Sequence, residues 1–476
     1  MSAQRHHLRS LGTALSNTSS VSEASGTVAF SALLVLHSGG IGGAGRAAVA
    51  MGRHLVARGV ALRVVVADDA RDLVPELRST GVEVLLAEPR LSWWTLHDED
   101  PALAVTRRDV RFDSEATTRI VRELTERPVD LVITQSSVIP HGAYAAAARG
   151  LPHVWMVAEI GDPAHGASLP FEGAELGAVV DSLSDLVVAP SVFVKASLDL
   201  PAERTIIVPP PIDGTGLTDI APRTLRRGAL RVISIGSLTP AKGHADAIAG
   251  LAELASDMDV HLRIIGSGNN EQREELERCI LQHAMERRVT IEPLNTDRGA
   301  LYADADIVVV ASRNEAFGLV AHEAALAGRP VVFAASGGVA ETMTDGVTGL
   351  AFPVGDTAAL AEQLRRLVDD SKLRDDLIAT ARTAATSRAD DTGPSDDLFA
   401  ELDRLARTGP RPDTARSLIA GIVRSAVMTR EEAEVLSWRL AALLDRRVVA
   451  LGLRLASIGA RLRRRSGSRP DPSSEQ

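Results

Sequence analysis

Cysteine is almost missing from the 476 residues of this chain. Cys279 stands alone, which excludes an intramolecular disulfide and a cysteine-based metal site and makes a reducing compartment the natural one. Lysine is nearly as scarce. Only Lys195, Lys242 and Lys372 occur in an arginine-rich chain, and each is worth attention because a guanidinium cannot fill every role of a compact ammonium. Aromatic residues make up 3% and the formal net charge is −10. Neither value favours a nucleic-acid binder, which needs a basic face or stacking platforms. No run approaches the roughly 20 apolar residues of a membrane span. The N-terminal stretch through Arg5, His6, His7, Leu8 and Arg9 lacks the apolar centre of a signal peptide. A cytoplasmic protein is expected, with peripheral contact to the inner face of a membrane left open.

The apolar content is 45%, enough for sizeable cores, and the length calls for more than one of them. Residues 1–29 are rich in Ser, Thr, Ala and Gly without hydrophobic period and read as a flexible leader. From Phe30 onward, apolar runs at 32–37, 61–67, 82–87, 131–134, 153–157, 186–189 and 205–208 alternate with helical patterns. That alternation indicates parallel βαβ units. Pro209-Pro210-Pro211 interrupts it, since three prolines fit neither a helix nor a central strand. A second series follows, with strands at 231–235, 260–265, 289–291, 307–310 and 331–333. The expected architecture is α/β: two Rossmann-like, doubly wound domains, 30–210 and 211–390, facing a cleft. Residues 391–476 form an additional helical, basic segment. Its Leu- and Arg-rich stretch at 436–465 suits either a final helix packed on the domains or an amphipathic contact with an anionic membrane.

The most informative passage runs from Ala311 to Pro330, ASRNEAFGLVAHEAALAGRP, where a strand gives way to a helix. Glu315 falls in the loop and Glu323 along the helix. Between them the backbone N–H groups of Ala316, Phe317, Gly318, Leu319 and Val320 lie around a helix start, a natural anion site. Two carboxylates can accept hydrogen bonds from sugar hydroxyls on either side of that anion. Taken alone, the pair would be a capping acid and a surface acid. A second element, Ile233 to Gly243, ends a strand at Gly236 and carries Ser237 and Lys242 in the following loop. An ammonium there could neutralise a departing diphosphate. In the first domain Ser38-Gly-Gly-Ile-Gly42-Gly43-Ala-Gly45-Arg46 also joins a strand to a helix. Its Gly40-x-Gly42-x-x-Gly45 spacing fits a dinucleotide fingerprint with Asp68 or Asp69 as ribose acceptor, so a nicotinamide- or flavin-dependent oxidoreductase is the rival class.

Set together, these elements resemble the retaining glycosyltransferases of family 4, which have the GT-B fold and an E-x7-E motif. The match extends through Gly318, Glu323-Ala324, Ala327-Gly328-x-Pro330, Gly337-Gly338-x-x-Glu341, Asp345-Gly346-x-x-Gly349 and Pro353-x-Gly355-Asp356. It implies a nucleoside-diphosphate sugar as donor substrate, UDP-sugar favoured on family breadth, and a hydroxyl acceptor that is a glycan or a lipid-linked molecule. Glu315 would contact the donor sugar, Glu323 the ribose, Lys242 the diphosphate, and Gly42 and Gly43 would abut that diphosphate from across the cleft. Ser237 departs from the pattern, since many relatives carry arginine there. Either one cation suffices with helix dipoles, or another arginine supplies the second charge. Trp155-x-x-x-Glu159 looks like a variant found in some cell-surface polymer enzymes, with Glu159 touching donor sugar or acceptor hydroxyl; a carboxylate serving only to hold a strand end is the plain alternative. Asp162, His165 and His141 are weaker candidates. No metal and no cofactor is implied, no nucleic-acid partner is expected, and the oligomeric state is left open. An epimerase or hydrolase of the same fold, and a non-catalytic binding protein, stay as further alternatives.

Overall fold

A computed structural model describes residues 28–428 except 38–41, 68–72, 88–90, 92–106, 163, 165–168, 170, 222–228, 294–296 and 392. The leader up to residue 27, Gly40, Asp68, Asp69, His165 and the 436–465 stretch therefore lie outside the described residues.

The first unit runs β1 (Ser31–Leu36), α1 (Gly43–Ala57), β2 (Ala61–Ala67), α2 (Leu73–Ser79), β3 (Glu83–Ala87), α3 (Arg107–Glu126), β4 (Leu131–Gln135), α4 (His141–Arg149), β5 (His153–Met156), α5 (Gly173–Leu183), β6 (Leu186–Ala189), α6 (Val192–Ser197) and β7 (Thr205–Ile207). The second runs β8 (Leu230–Ile235), α7 (His244–Leu254), β9 (Val260–Ile265), α8 (Asn270–Gln282), β10 (Val289–Glu292), α9 (Arg298–Ala303), β11 (Ile307–Val310), α10 (Leu319–Leu326), β12 (Val331–Ala334), α11 (Val339–Thr342), β13 (Leu350–Phe352), α12 (Thr357–Asp369) and α13 (Ser371–Asp390). Two helices follow, α14 (Gly393–Thr408) and α15 (Thr414–Met428).

Every pairing in both sheets is parallel, in the orders β3-β2-β1-β4-β5-β6-β7 and β10-β9-β8-β11-β12-β13. A parallel sheet is covered by helices on both faces, so its strands are apolar on both sides. β1 shows this directly. Leu33 and Val35 enter one core and Ala32, Leu34 and Leu36 the other, as the two-residue period of a strand requires. In the second sheet Val309 and Val308 divide between its two cores in the same way. The expected pair of doubly wound domains is thus present, and this is the GT-B arrangement.

Strand order reverses between β1 and β4 in one sheet and between β8 and β11 in the other. Such switch points open a crevice at the carboxyl ends of the flanking strands, where α/β sheets bind ligands. The two crevices face each other.

The chain beyond Asp390 returns to the first unit. Leu398, Leu402 and Leu405 of α14 join one face of its sheet, and Val423 of α15 joins the opposite face. Arg416 is buried and binds both Asp185 and the Leu151 carbonyl, while the Arg411 amide donates to Asp185 at 2.7 Å. The cost of burying Arg416 is offset in part because its charge is paired with Asp185 and both terminal nitrogens donate hydrogen bonds. Among the described residues no helix is long and apolar enough to cross a membrane.

Candidate active site

Four loops meet in the cleft, each leaving a strand beside a switch point. They follow β1 (Gly42, Gly43), β4 (Ser136, Ser137), β8 (Gly236 to Lys242) and β11 (Ser312 to Gly318), and the loop after β5 adds Glu159. All five contribute to one cavity of about 490 Å³, whose lining also includes Arg46, Gly266, Ser267, Leu319 and Val320. The structure therefore gathers into one space every donor-side residue expected from sequence except Glu323, which sits just beneath its wall.

Several helices carry a side-chain cap at the N-terminus, and the two whose starts meet at the cleft do not. α8, α9, α12 and α13 start with a side-chain cap from Asn269, Asp297, Asp356 and Asp370. α1 and α10 start instead at Gly42 and Gly318, with no side-chain cap and no acid in the first turn. Their leading N–H groups and positive dipole ends are left for an anion. The two ends are close: a Cβ added at Gly43 would stand 3.4 Å from Leu319 Cδ1.

Gly318 has φ +94°, and a Cβ there would come within 2.9 Å of Val339 Cβ. Only glycine meets both conditions without strain. The Gly337-Gly338 pair explains its place in the motif. Its backbone presses on the Glu315 loop so closely that added Cβ atoms would lie 2.4 Å from the Glu315 carbonyl and 2.2 Å from that of Ala316. The Gly338 amide donates to the Glu315 carbonyl at 2.6 Å.

On this braced loop Glu315 accepts from Lys242 Nζ at 2.7 Å, both side chains keeping access to the cavity. Lys242 closes a single 3₁₀ turn, Pro240–Lys242. A buried histidine shapes that loop. His244 Nε2 lies 3.1 Å from the Ser237 carbonyl and Nδ1 lies 3.0 Å from Ser234 Oγ. Burial pushes its pKa down to about 4, so the ring is neutral, donates from Nε2 to the carbonyl and accepts at Nδ1. Ser237 Oγ pairs with Thr239 Oγ1 at 3.0 Å.

Glu323 is only 4% exposed. Its Oε1 accepts from Arg298 at 3.0 Å and lies 3.2 Å from an Arg46 nitrogen, while Oε2 accepts from the Tyr302 hydroxyl at 2.9 Å. Arg298 also reaches Asp213 of the interdomain connection at 2.9 Å. Burial, then the adjacent carboxylate, drives the Tyr302 pKa far above its usual range, so the hydroxyl remains a donor. Arg46, Arg298, Tyr302 and His244 were not among the residues expected from sequence. Arg46 had a visible signal, as a cation three residues past Gly43, and His244 directly follows Lys242-Gly243; Arg298 and Tyr302 come from α9, whose sequence carries no motif.

Glu159 accepts from Ser136 Oγ at 2.9 Å and from the Ser137 amide at 2.7 Å. Ser136 has φ +98°, a strained conformation for a residue with a Cβ. Fully buried Trp155 holds the strain in place by donating from its indole N–H to the Ser136 carbonyl at 2.9 Å. The W-x-x-x-E spacing thus has a physical meaning: the indole fixes the turn that fixes the carboxylate. Of the weaker candidates, Asp162 accepts from Asn314 across the cleft at 2.9 Å, and His141 is wholly buried at the start of α4. Among the described residues no group of three or more His, Cys, Asp or Glu is arranged to hold a metal ion.

Comparison with known proteins gives the same picture. The family model "Glycosyltransferase Family 4" matches residues 41–214 and "Glycosyl transferases group 1" matches 219–384. A D-inositol 3-phosphate glycosyltransferase of Xylanimonas cellulosilytica is 34% identical over 200 residues, 38% of this chain and 47% of that protein. A glycogen synthase of Mycobacterium tuberculosis is 35% identical over 177 residues, 36% of this chain and 41% of that protein. The chain thus matches less than half the length of these curated relatives. Among solved structures, Anabaena HepE in complex with UDP-glucose superposes with a TM-score of 0.64 at 22% identity, covering 79% of this chain and 100% of that one. Sucrose-phosphate synthase of Thermosynechococcus elongatus gives 0.63 at 18%, covering 79% and 99%. Two family models that tile the chain, on a two-domain frame with the Glu315–Glu323 helix start at its cleft, identify it as a member of the group 1, family 4 glycosyltransferases.

Proposed function

We propose that the protein transfers a hexosyl group from a UDP-sugar to an acceptor hydroxyl with retention of configuration. The observation that carries this reading is the Lys242–Glu315 pair between two uncapped glycine helix starts. The diphosphate would lie against the N-termini of α1 and α10, with Glu323 beneath the ribose and Glu315 beside the sugar. Lys242 would follow the charge that grows on the leaving oxygen as the glycosidic bond lengthens. The acceptor hydroxyl would attack from the face the diphosphate leaves, within reach of Glu159. The choice of UDP draws support from HepE, which was solved with UDP and glucose. A glycan or lipid-linked acceptor, in cell-surface polysaccharide or glycolipid assembly on the cytoplasmic side, fits the Trp155-x-x-x-Glu159 variant.

The test is Lys242→Gln with a transferable donor. An interaction made late in bond cleavage lowers turnover more than ground-state affinity, so kcat should fall about 100-fold with UDP affinity changed by no more than a few fold. Equal losses in both would remove Lys242 from the chemistry. Labelled donor incubated without acceptor separates transfer from hydrolysis or epimerisation, and a nicotinamide or flavin titration tests the oxidoreductase alternative.

A further inference from the structure

We infer that Arg46 supplies the second positive charge to the donor diphosphate, in place of the arginine that many relatives carry where this chain has Ser237. The inference rests on the donor-binding reading above and adds a residue from the opposite domain. Lys242 is paired with Glu315 at 2.7 Å, so together they bring no net charge to a leaving group that carries more than one negative charge. The two helix ends add only partial charges, about half a unit each. A further cation is needed in a cleft where water is largely displaced. Among the described residues lining the cavity, Arg46 is the one arginine. It stands in the first turn of α1, three residues after Gly43, at the uncapped helix start that faces Leu319.

One of the Arg46 nitrogens lies 3.2 Å from Glu323 Oε1 across the cleft. That oxygen already accepts from Arg298 at 3.0 Å, and the other from Tyr302 at 2.9 Å. Glu323 therefore remains paired when Arg46 leaves. A ribose hydroxyl that donates to Glu323 competes directly with Arg46 for the same oxygen. Displaced from Glu323, the guanidinium would turn about its own side chain to meet a diphosphate at Gly42 and Gly43. One binding event would then exchange an interdomain ion pair for a grip on the anion from both domains.

Titration of the full chain with UDP, GDP, ADP and dTDP, and with the matching monophosphates, tests this. Arg46→Gln should weaken the preferred nucleoside diphosphate about tenfold or more, as expected for a lost charge-assisted hydrogen bond. It should leave the monophosphate unchanged or bound more tightly, because a competitor at Glu323 is gone. Arg46→Lys should recover part of the diphosphate affinity. Unchanged diphosphate binding, an equal loss for both nucleotides, or a lysine variant as weak as the glutamine variant would overturn Arg46 while leaving the donor site standing. A wild-type chain that binds none of the four diphosphates would overturn both.

Discussion

Replacing Glu323 by Ala should destabilise the second domain as well as weaken nucleotide binding, because the carboxylate is a buried structural acceptor. The cost can be built from its partners. Tyr302 is fully buried, and without Glu323 its hydroxyl keeps only a marginal contact to the Val320 carbonyl at 3.5 Å. An unsatisfied buried hydroxyl costs about 1–3 kcal/mol. Arg298 retains Asp213 at 2.9 Å, so it is not stripped of charge, and losing its second partner adds about 1 kcal/mol. Arg46, with a fifth of its side chain exposed, can turn to water and adds little. The sum is about 3 kcal/mol, which in a domain of this size lowers Tm by about 6–12 °C. Tyr302→Phe removes the stranded hydroxyl, so the double variant should recover about 1–2 kcal/mol relative to the sum of the single changes. Thermal melts of the four proteins without nucleotide provide the cycle. Additivity within about 0.5 kcal/mol, or an Ala variant as stable as the wild type, would show that Glu323 is not held as described.

Acid should unfold the protein earlier than its carboxylates alone would dictate. Burial holds His153 and His322 down to about 3 and His244 to about 4, with Arg416, Arg388 and Lys242 adding smaller contributions in the same direction. Unfolded chains protonate these rings near pH 6.5, so stability present above that pH is lost as pH falls towards about 4 for His244 and about 3 for the others. At pH 5 the loss relative to pH 7 is about 2 kcal/mol per ring, two rings in the second domain and one in the first. Melts at the two pH values check the sum, and His322→Gln should remove about 2 kcal/mol of the second domain's dependence; an unchanged dependence refutes it. Gly318→Ala combines a positive φ with contact at Val339, so it should cost about 2 kcal/mol or more and weaken nucleoside diphosphate binding. Wild-type stability and affinity in that variant would refute the brace on the Glu315 loop.

The fold was legible in the sequence because strands buried on both faces read as unbroken apolar runs, from 32–37 to 331–333. β13 escaped notice, its three residues being too few to show any period. So did α3, whose polar residues mask its single apolar stripe of Ala116, Ile120, Val121 and Leu124. The helical pattern from residue 414 onward anticipated α15 but not the surface it packs on, since a stripe of apolar residues names no partner, and the leucine-rich stretch at 436–465 lies outside the described residues. The same division runs through the site. Lys242, Glu315 and Gly318 could be picked out because each is fixed by its own strand-to-helix turn, a local geometry that needs certain residues at certain spacings. Arg46, Arg298 and Tyr302 converge on Glu323 from α1 and α9, and nothing local constrains them to do so. That asymmetry bears on how the donor would be read. Groups set by turn geometry are held rigidly on the second domain, whereas Arg46 reaches Glu323 from the first and can leave without unpairing it. The rigid groups can define where a diphosphate sits; the one cation that changes partners can sense that it has arrived.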